Sequence, residues 1–195
     1  MSFLYLFFAL IIILGLYLIS TFNKFKTTET RIKASIQEIG NQLKRQADMI
    51  PNLINSVKGY MKHEQKALDK ITQARKSVLE AVKGQNTQQM VDASSKVSQA
   101  LPAIQAVFES TPELKAAGPT QKLMDELRDT ADKLMYSRRT LIDLTADYNI
   151  MIVNFPTNLI ANLFKFTGQP GLKTPDSGEH LSVSSSDTKT PKVDL

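Results

Sequence analysis

The side chains able to do acid–base, nucleophilic or metal chemistry are few in this chain, and their spacing suits none of these roles. His63-Glu64 begins like the helical zinc motif, in which two histidines four residues apart hold the metal, but the required second position is Ala67. The other histidine, His180, stands in a Ser/Thr-rich run. There is no cysteine, which excludes disulfides, thiolate nucleophiles and cysteine-based metal sites. Asp125, Glu126, Asp129 and Asp132 form a carboxylate cluster. They alternate with Leu123, Leu127 and Leu134, which is the pattern of the wet face of an amphipathic helix. A hard cation would want a Gly-bearing loop there, and none is present. No Gly-rich phosphate loop and no serine in a nucleophile turn occur. A basic face without tryptophan is a poor platform for stacking bases. The expectation is a non-enzymatic protein with no catalytic residue, metal, cofactor or nucleic-acid partner.

The elements that would carry these residues read as helices. From Ile32 to Ala81 one heptad phase persists, with Ile36, Leu43, Ile50, Val57, Glu64, Ile71 and Val78 in one row. The second row holds Ile32, Ile39, Gln46, Leu53, Tyr60, Ala67, Ala74 and Ala81. Two apolar rows at 3.5-residue spacing form a coiled-coil-like seam that must pack on other helices. Tyr60 is expected in the core, and Glu64 on the seam needs a basic partner, Arg138 or Arg75, or must reach the edge. Pro51 should kink this helix, or split it with Asp48 as a new cap, and Gly84 should end it. Unsplit, the first helix greatly exceeds the second in length, leaving a surplus to be covered by a partner or by self-association.

The second helix is expected from the Asn86 cap, with Gln89 three residues on, to about Glu109, bent at Pro102. Thr111-Pro112-Glu113 starts a short turn. A third long helix follows from about Thr120 to Phe155 and stops at Pro156, and residues 158–166 make a last short apolar helix. No segment alternates at period two long enough to make a strand. The class is all-α, an antiparallel up-and-down bundle of three to four long helices spanning residues 24–166. From Thr167 the composition turns to Gly, Pro, Ser and Thr, and residues 167–195 are expected to be a disordered tail.

Residues 1–23 carry no charged side chain, and from Phe3 to Phe22 they are almost unbroken hydrocarbon. About 20 apolar helical residues cover the roughly 30 Å core of a bilayer. A cleaved secretory signal would have a basic start, a shorter core and a small-x-small site, all missing here. The segment is therefore expected to be an uncleaved single-pass anchor. Lys24, Lys26, Arg31 and Lys33 follow it, opposed only by Glu29. This bias puts the N-terminus outside and the bundle in the cytoplasm.

Asn41-Gln42-Leu43-Lys44-Arg45-Gln46-Ala47-Asp48-Met49-Ile50-Pro51-Asn52-Leu53-Ile54, with Val57-Lys58-Gly59-Tyr60 and His63-Glu64, resembles the signature of the LemA family. Ala74-Arg75 falls where that family has an Ala-Arg pair. Tyr148-Asn149 and Phe155-Pro156-Thr157-Asn158-Leu159-Ile160-Ala161 resemble its second signature. The likeness runs from the anchor to Phe166. Phe22-Asn23 and Thr140-Leu141 depart from the family's Tyr-Asn pairs, and Ala131 from its glutamate. The resemblance implies a bacterial single-pass membrane protein with a helical bundle and no established activity. Some relatives are linked to membrane stress or envelope maintenance, and one group to magnetosome membranes.

The motif residues Lys44, Arg45, Asp48, Pro51, Asn52, Lys58, Gly59, His63 and Glu64 are expected to build the bundle. Asp48 and Asn52 would satisfy backbone groups that Pro51 frees, and Gly59 would allow close helix approach. Alternatively, Lys44, Arg45, Asp48 and Asn52 form a partner-binding patch. The expected role is a scaffold or regulator for another membrane-associated protein, with homo-oligomerisation open. The alternative is a membrane-surface or membrane-shaping protein that binds anionic lipid through its basic first helix and the apolar 158–166 segment.

Overall fold

A computed structural model of the chain describes residues 2–61 and 65–173. Six helices follow one another: α1 (Ser2–Val57), α2 (Gln65–Lys83), α3 (Thr87–Ser110), α4 (Pro112–Ala116), α5 (Gly118–Val153) and α6 (Thr157–Leu163). No strand occurs among the described residues, and the fold is all-α.

The apolar half of α1 stands clear of the rest of the molecule. It is long and apolar enough to cross a membrane, and none of its apolar window is buried. Packing begins at Leu18 and Thr21 and continues along Phe25, Ile32, Ile39, Leu43, Ile50, Leu53 and Val57, all inward. This stretch lies antiparallel to α5, with Phe25 against Tyr148 at one end and Arg45 paired with Glu126 further on. Helix α2 runs back along α1, and α3 returns antiparallel to α2, where Lys96 Nζ donates to Ser77 Oγ. The four long helices make an up-down-up-down bundle. Most fully buried Leu, Ile and Phe side chains here contribute about 1.5–3 kcal/mol each relative to exposure.

The heptad rows are buried almost as expected, but they belong to two helices. Helix α1 continues through Pro51 and ends at Val57, and the chain turns at residues 58–60, where Tyr60 N donates to Val57 O. The expected single helix to Ala81, kinked or split at Pro51, is thus corrected. Ile71, Ala74, Val78 and Ala81 still face inward, whereas Tyr60 is 52 % exposed because it sits in the turn and not on a helix face.

Asn86 caps α3, its Oδ1 accepting from Gln89 N at 2.9 Å. Gly84 closes α2 by proximity: a Cβ there would come within 3.3 Å of Glu80 O, while the left-handed residue is Gln85 at φ 50°.

The surplus length of the first helix is covered from within. The packed part of α1 matches α5, at about 55 Å each, but α2 and α3 span only about 28 and 36 Å. Helix α6 and residues 164–173 fill the remaining length on that side. Phe166 stacks on Phe25 with ring centroids 4.6 Å apart, Leu172 packs on the core, and Lys173 N reaches Gln88 Oε1. Residues 167–173, expected as the start of a disordered tail, are part of the bundle. Residues 174–195, with His180, lie outside the described residues, as do His63 and Glu64.

Candidate functional site

The motif residues divide into two groups, one around Pro51 and one at the end from which the apolar helix leaves the bundle.

Pro51 has no N–H, so the carbonyl of Ala47, one turn earlier, has no intrahelical donor. Ala47 is fully buried, and an unpaired carbonyl there would be costly. Arg75 of α2 answers it, with Nε donating to Ala47 O at 2.9 Å. This is why α1 carries a proline within its packed stretch and stays joined to α2. The partner comes from across the helix interface, not from Asp48 or Asn52, as the local sequence suggests. Asp48 pairs with Lys44 at 3.6 Å on the exposed side of α1, and Asn52 is exposed, its carbonyl accepting from Ser56 Oγ. Arg45 points to α5 and pairs with Glu126 at 3.3 Å. Lys44, Asp48 and Asn52 follow one another at four-residue spacing on the exposed side of α1, with Arg45 beside them turned toward Glu126. Gly59 lies in the exposed turn after Lys58, and a Cβ on it would meet nothing within 4 Å, so close helix approach is not its role. The glycine at a helix contact is Gly40, facing the Met90 side chain at 3.8 Å.

Arg75 and Arg138 were the candidate partners for Glu64. Arg75 is committed to Ala47, and Arg138 Nη1 approaches Ser94 Oγ at 3.5 Å. Three of the four clustered carboxylates of α5 are engaged by bases: Asp129 with Lys133 at 2.7 Å, Asp125 with Arg128 at 3.8 Å, and Glu126 with Arg45. Among the described residues no three His, Asp or Glu side chains converge.

The second group is tightly knit. Tyr148 is 2 % exposed and meets Phe25 edge-to-face at 5.5 Å, and burial pushes its phenol pKa upward. Asn149 clamps the returning chain: its Nδ2 donates to Gln169 O at 2.9 Å, and its Oδ1 accepts from Gln169 N at 2.8 Å. Phe166 lies between Phe25 and Phe22, and Phe22 also meets Phe164 at 4.8 Å. Lys26 Nζ sits 5.2 Å from the Phe166 ring centre and also bonds Glu29, as does Lys33. Lys33 first and Lys26 second hold the Glu29 carboxyl below its ordinary value. The Phe155–Pro156 bond is cis; Pro156 stands at the N-cap position of α6 without a side-chain bond, and Phe155 is 78 % exposed. Asn158 N bonds Asn154 O, while its buried Oδ1 has no partner. Sequence reasoning singled out Tyr148 and Asn149 but not Gln169, which carries no sequence signal, nor Phe25, whose signal is only that an aromatic follows the apolar segment.

On the opposite side of α1 and α5 from the α2–α3 pair, the two helices leave an open groove of about 620 Å³. Its floor carries Ala34, Ser35, Ser137 and Thr140, and Tyr136 stands at its rim, 73 % exposed.

A comparison with curated proteins gives no match. The sequence model of the LemA family matches residues 35–185, starting within α1 after its apolar half and reaching past Phe166 into the segment that seals the bundle. With the match covering most of the chain, including both groups of motif residues, the protein belongs to the LemA family.

Proposed function

We propose that this chain is a non-enzymatic, single-pass membrane protein whose bundle serves as a scaffold or regulator for another membrane-associated protein. The α1/α5 groove carries this reading. Small side chains on its floor let a partner helix approach closely, and Arg31, Glu38, Asp132 and Lys133 beside it supply charges of both signs for register. The anchor confines the groove to two dimensions and raises the effective concentration of any membrane partner. The apolar half of α1, exposed along its length, supports the anchoring, since a patch of that size is not left in water by a soluble domain. The basic flank from Lys24 to Lys33 favours a cytoplasmic bundle. The cysteine-free chain allows a Ser186→Cys probe, expected to react with an impermeant thiol reagent only in permeabilised cells.

The membrane-shaping alternative is less well supported. Lys26 and Lys33 are paired with Glu29, and Phe166 of the supposed wedge is turned onto Phe22 and Phe25.

The test of the scaffold is a photoactivatable thiol reagent on Tyr136→Cys in native membranes. A discrete adduct is expected, lost with Ala34→Glu in the groove floor and not formed from Lys70→Cys on the far face. Equal adducts from both sites would sink the groove as a docking surface.

A further inference from the structure

The end of the bundle that holds α6 sits at the same level as the last turn of the apolar helix. Phe22 ends the apolar run of α1, and its ring lies 4.8 Å from Phe164 and 5.7 Å from Phe166. The antiparallel register of Phe25 with Tyr148 carries the end of α5, Val153, to about the height of Ser20. Around this level large apolar side chains point outward: Val153 (70 % exposed), Phe155 (78 %), Leu159 (59 %) and Leu163 (65 %). They come from the end of α5, the turn and α6, and they follow one another along the chain without an acidic residue among them. In water such a collar is a liability, and nothing else in the described chain covers it.

We propose that this collar is a second lipid contact, seating the base of the bundle in the headgroup–acyl boundary of the bilayer that α1 crosses. The occupant follows from continuity. The outward face of the collar adjoins the apolar surface of α1, so a bilayer that receives Leu16 and Ile19 also meets Leu163 and Phe155 at its edge. Lys24 and Lys165, both exposed next to the collar, have stems long enough to place their ammonium groups among phosphates while their methylenes stay in the boundary. The aromatic cluster makes the contact rigid: Phe164 and Phe166 fasten α6 to α1, so α6 is held at a fixed height and is not a free wedge. One pivoting helix would leave the bundle free to spin and tilt. Two contacts fix its face relative to the membrane plane, and with it the direction in which the α1/α5 groove opens.

The inference rests on the reading that α1 spans the bilayer, and the test separates the two. The chain has no tryptophan, so each substitution gives a single reporter. Full-length Leu163→Trp and Phe155→Trp, both at exposed positions, are reconstituted into phosphatidylcholine vesicles with and without bromines at acyl carbons 6 and 7. Ile11→Trp reports the anchor, and Tyr60→Trp the far end of the bundle. Quenching by brominated lipid is expected for Ile11→Trp, Leu163→Trp and Phe155→Trp, and none for Tyr60→Trp. Ile11→Trp quenched with Leu163→Trp and Phe155→Trp unquenched overturns the seat and keeps the anchor. Red emission from the unquenched pair then means the collar faces water, and blue emission means a second copy covers it. Ile11→Trp unquenched removes the anchor and the seat together.

Discussion

The pairing of Arg75 with the carbonyl that Pro51 orphans makes a quantitative prediction. Arg75→Met keeps a long side chain against α1 but removes the donor, leaving Ala47 O buried and unpaired. A hydrogen bond from a charged group is worth about 1.5–3 kcal/mol, and the carbonyl cannot recover it from water because Ala47 is fully buried. We expect Arg75→Met to destabilise the bundle by about 2 kcal/mol, lowering the melting temperature by roughly 4–8 °C for a domain of this size. Pro51→Ala restores an N–H at position 51, one turn from Ala47 O, so that in this background Arg75 is no longer the only donor. There Arg75→Met should cost less than about 1 kcal/mol, giving a coupling of about 1–2 kcal/mol between residues on different helices. The assay is urea unfolding of the full chain in detergent micelles, followed by far-ultraviolet circular dichroism, for the four members of the cycle. Equal costs of Arg75→Met in both backgrounds would refute the link between the proline and the arginine, leaving Arg75 as an ordinary packing residue.

Asn149→Ala removes both bonds to Gln169, and amide exchange at residues 166–173 should quicken by about tenfold while α2 and α3 keep their protection. Gln46 is 2 % exposed with Oε1 unpartnered, so Gln46→Met should raise the urea midpoint, by about 1 kcal/mol in free energy. Glu29, held low by Lys33 and then Lys26, contributes stability that is present above its ordinary value of 4.5 and lost as pH falls through its lowered folded value. Glu29→Gln should flatten the acid limb of the stability–pH profile below 4.5, and high salt should shrink the effect in the parent because the three groups are close to the surface.

The helical class, the α3 cap at Asn86 and the inward rows were legible because each is written in local spacing. The break between α1 and α2 was not, for a particular reason. The connection is residues 58–64, seven positions long, so Leu53 and Ala74 remain in phase although they sit on different helices. A heptad pattern cannot report two helices set one heptad apart. The Arg75 contact was hidden because it reads a missing backbone donor 24 positions earlier in the chain, not a charge. Residues 167–173 looked like linker on composition alone, since their order is imposed by the Asn149 amide and by the flank of α1 that α2 and α3 are too short to cover. The family resemblance pointed to residues around Pro51, Tyr148 and Asn149, but it carried no partners for them.

On the proposed scaffold reading, the continuity of α1 sets where a partner would present itself. Between Gly15 and Gly40 the helix has no proline or glycine, and Phe22 and Phe25 are held against α6 and Phe166 just where a hinge would otherwise fall. On the reading that α1 crosses a bilayer, the groove residues Arg31 to Glu38 begin eight positions past Asn23, about 12 to 22 Å above the boundary. That distance is about two to four helical turns. A partner emerging from the same membrane reaches it with a short juxtamembrane helix lying along α1 and α5, whereas a soluble partner needs no particular height. The groove also lies on the face of α1 and α5 that α2 and α3 leave uncovered, so its use would not disturb the Pro51–Arg75 contact or the Asn149 clamp. Two sets of motif residues thus hold the bundle to one shape, while the groove is lined, Thr140 excepted, by side chains outside the quoted motifs. On the proposed scaffold reading, the exposed groove positions can vary with the partner at little cost to the fold, while the buried Ser137 and Leu144 are fixed by packing.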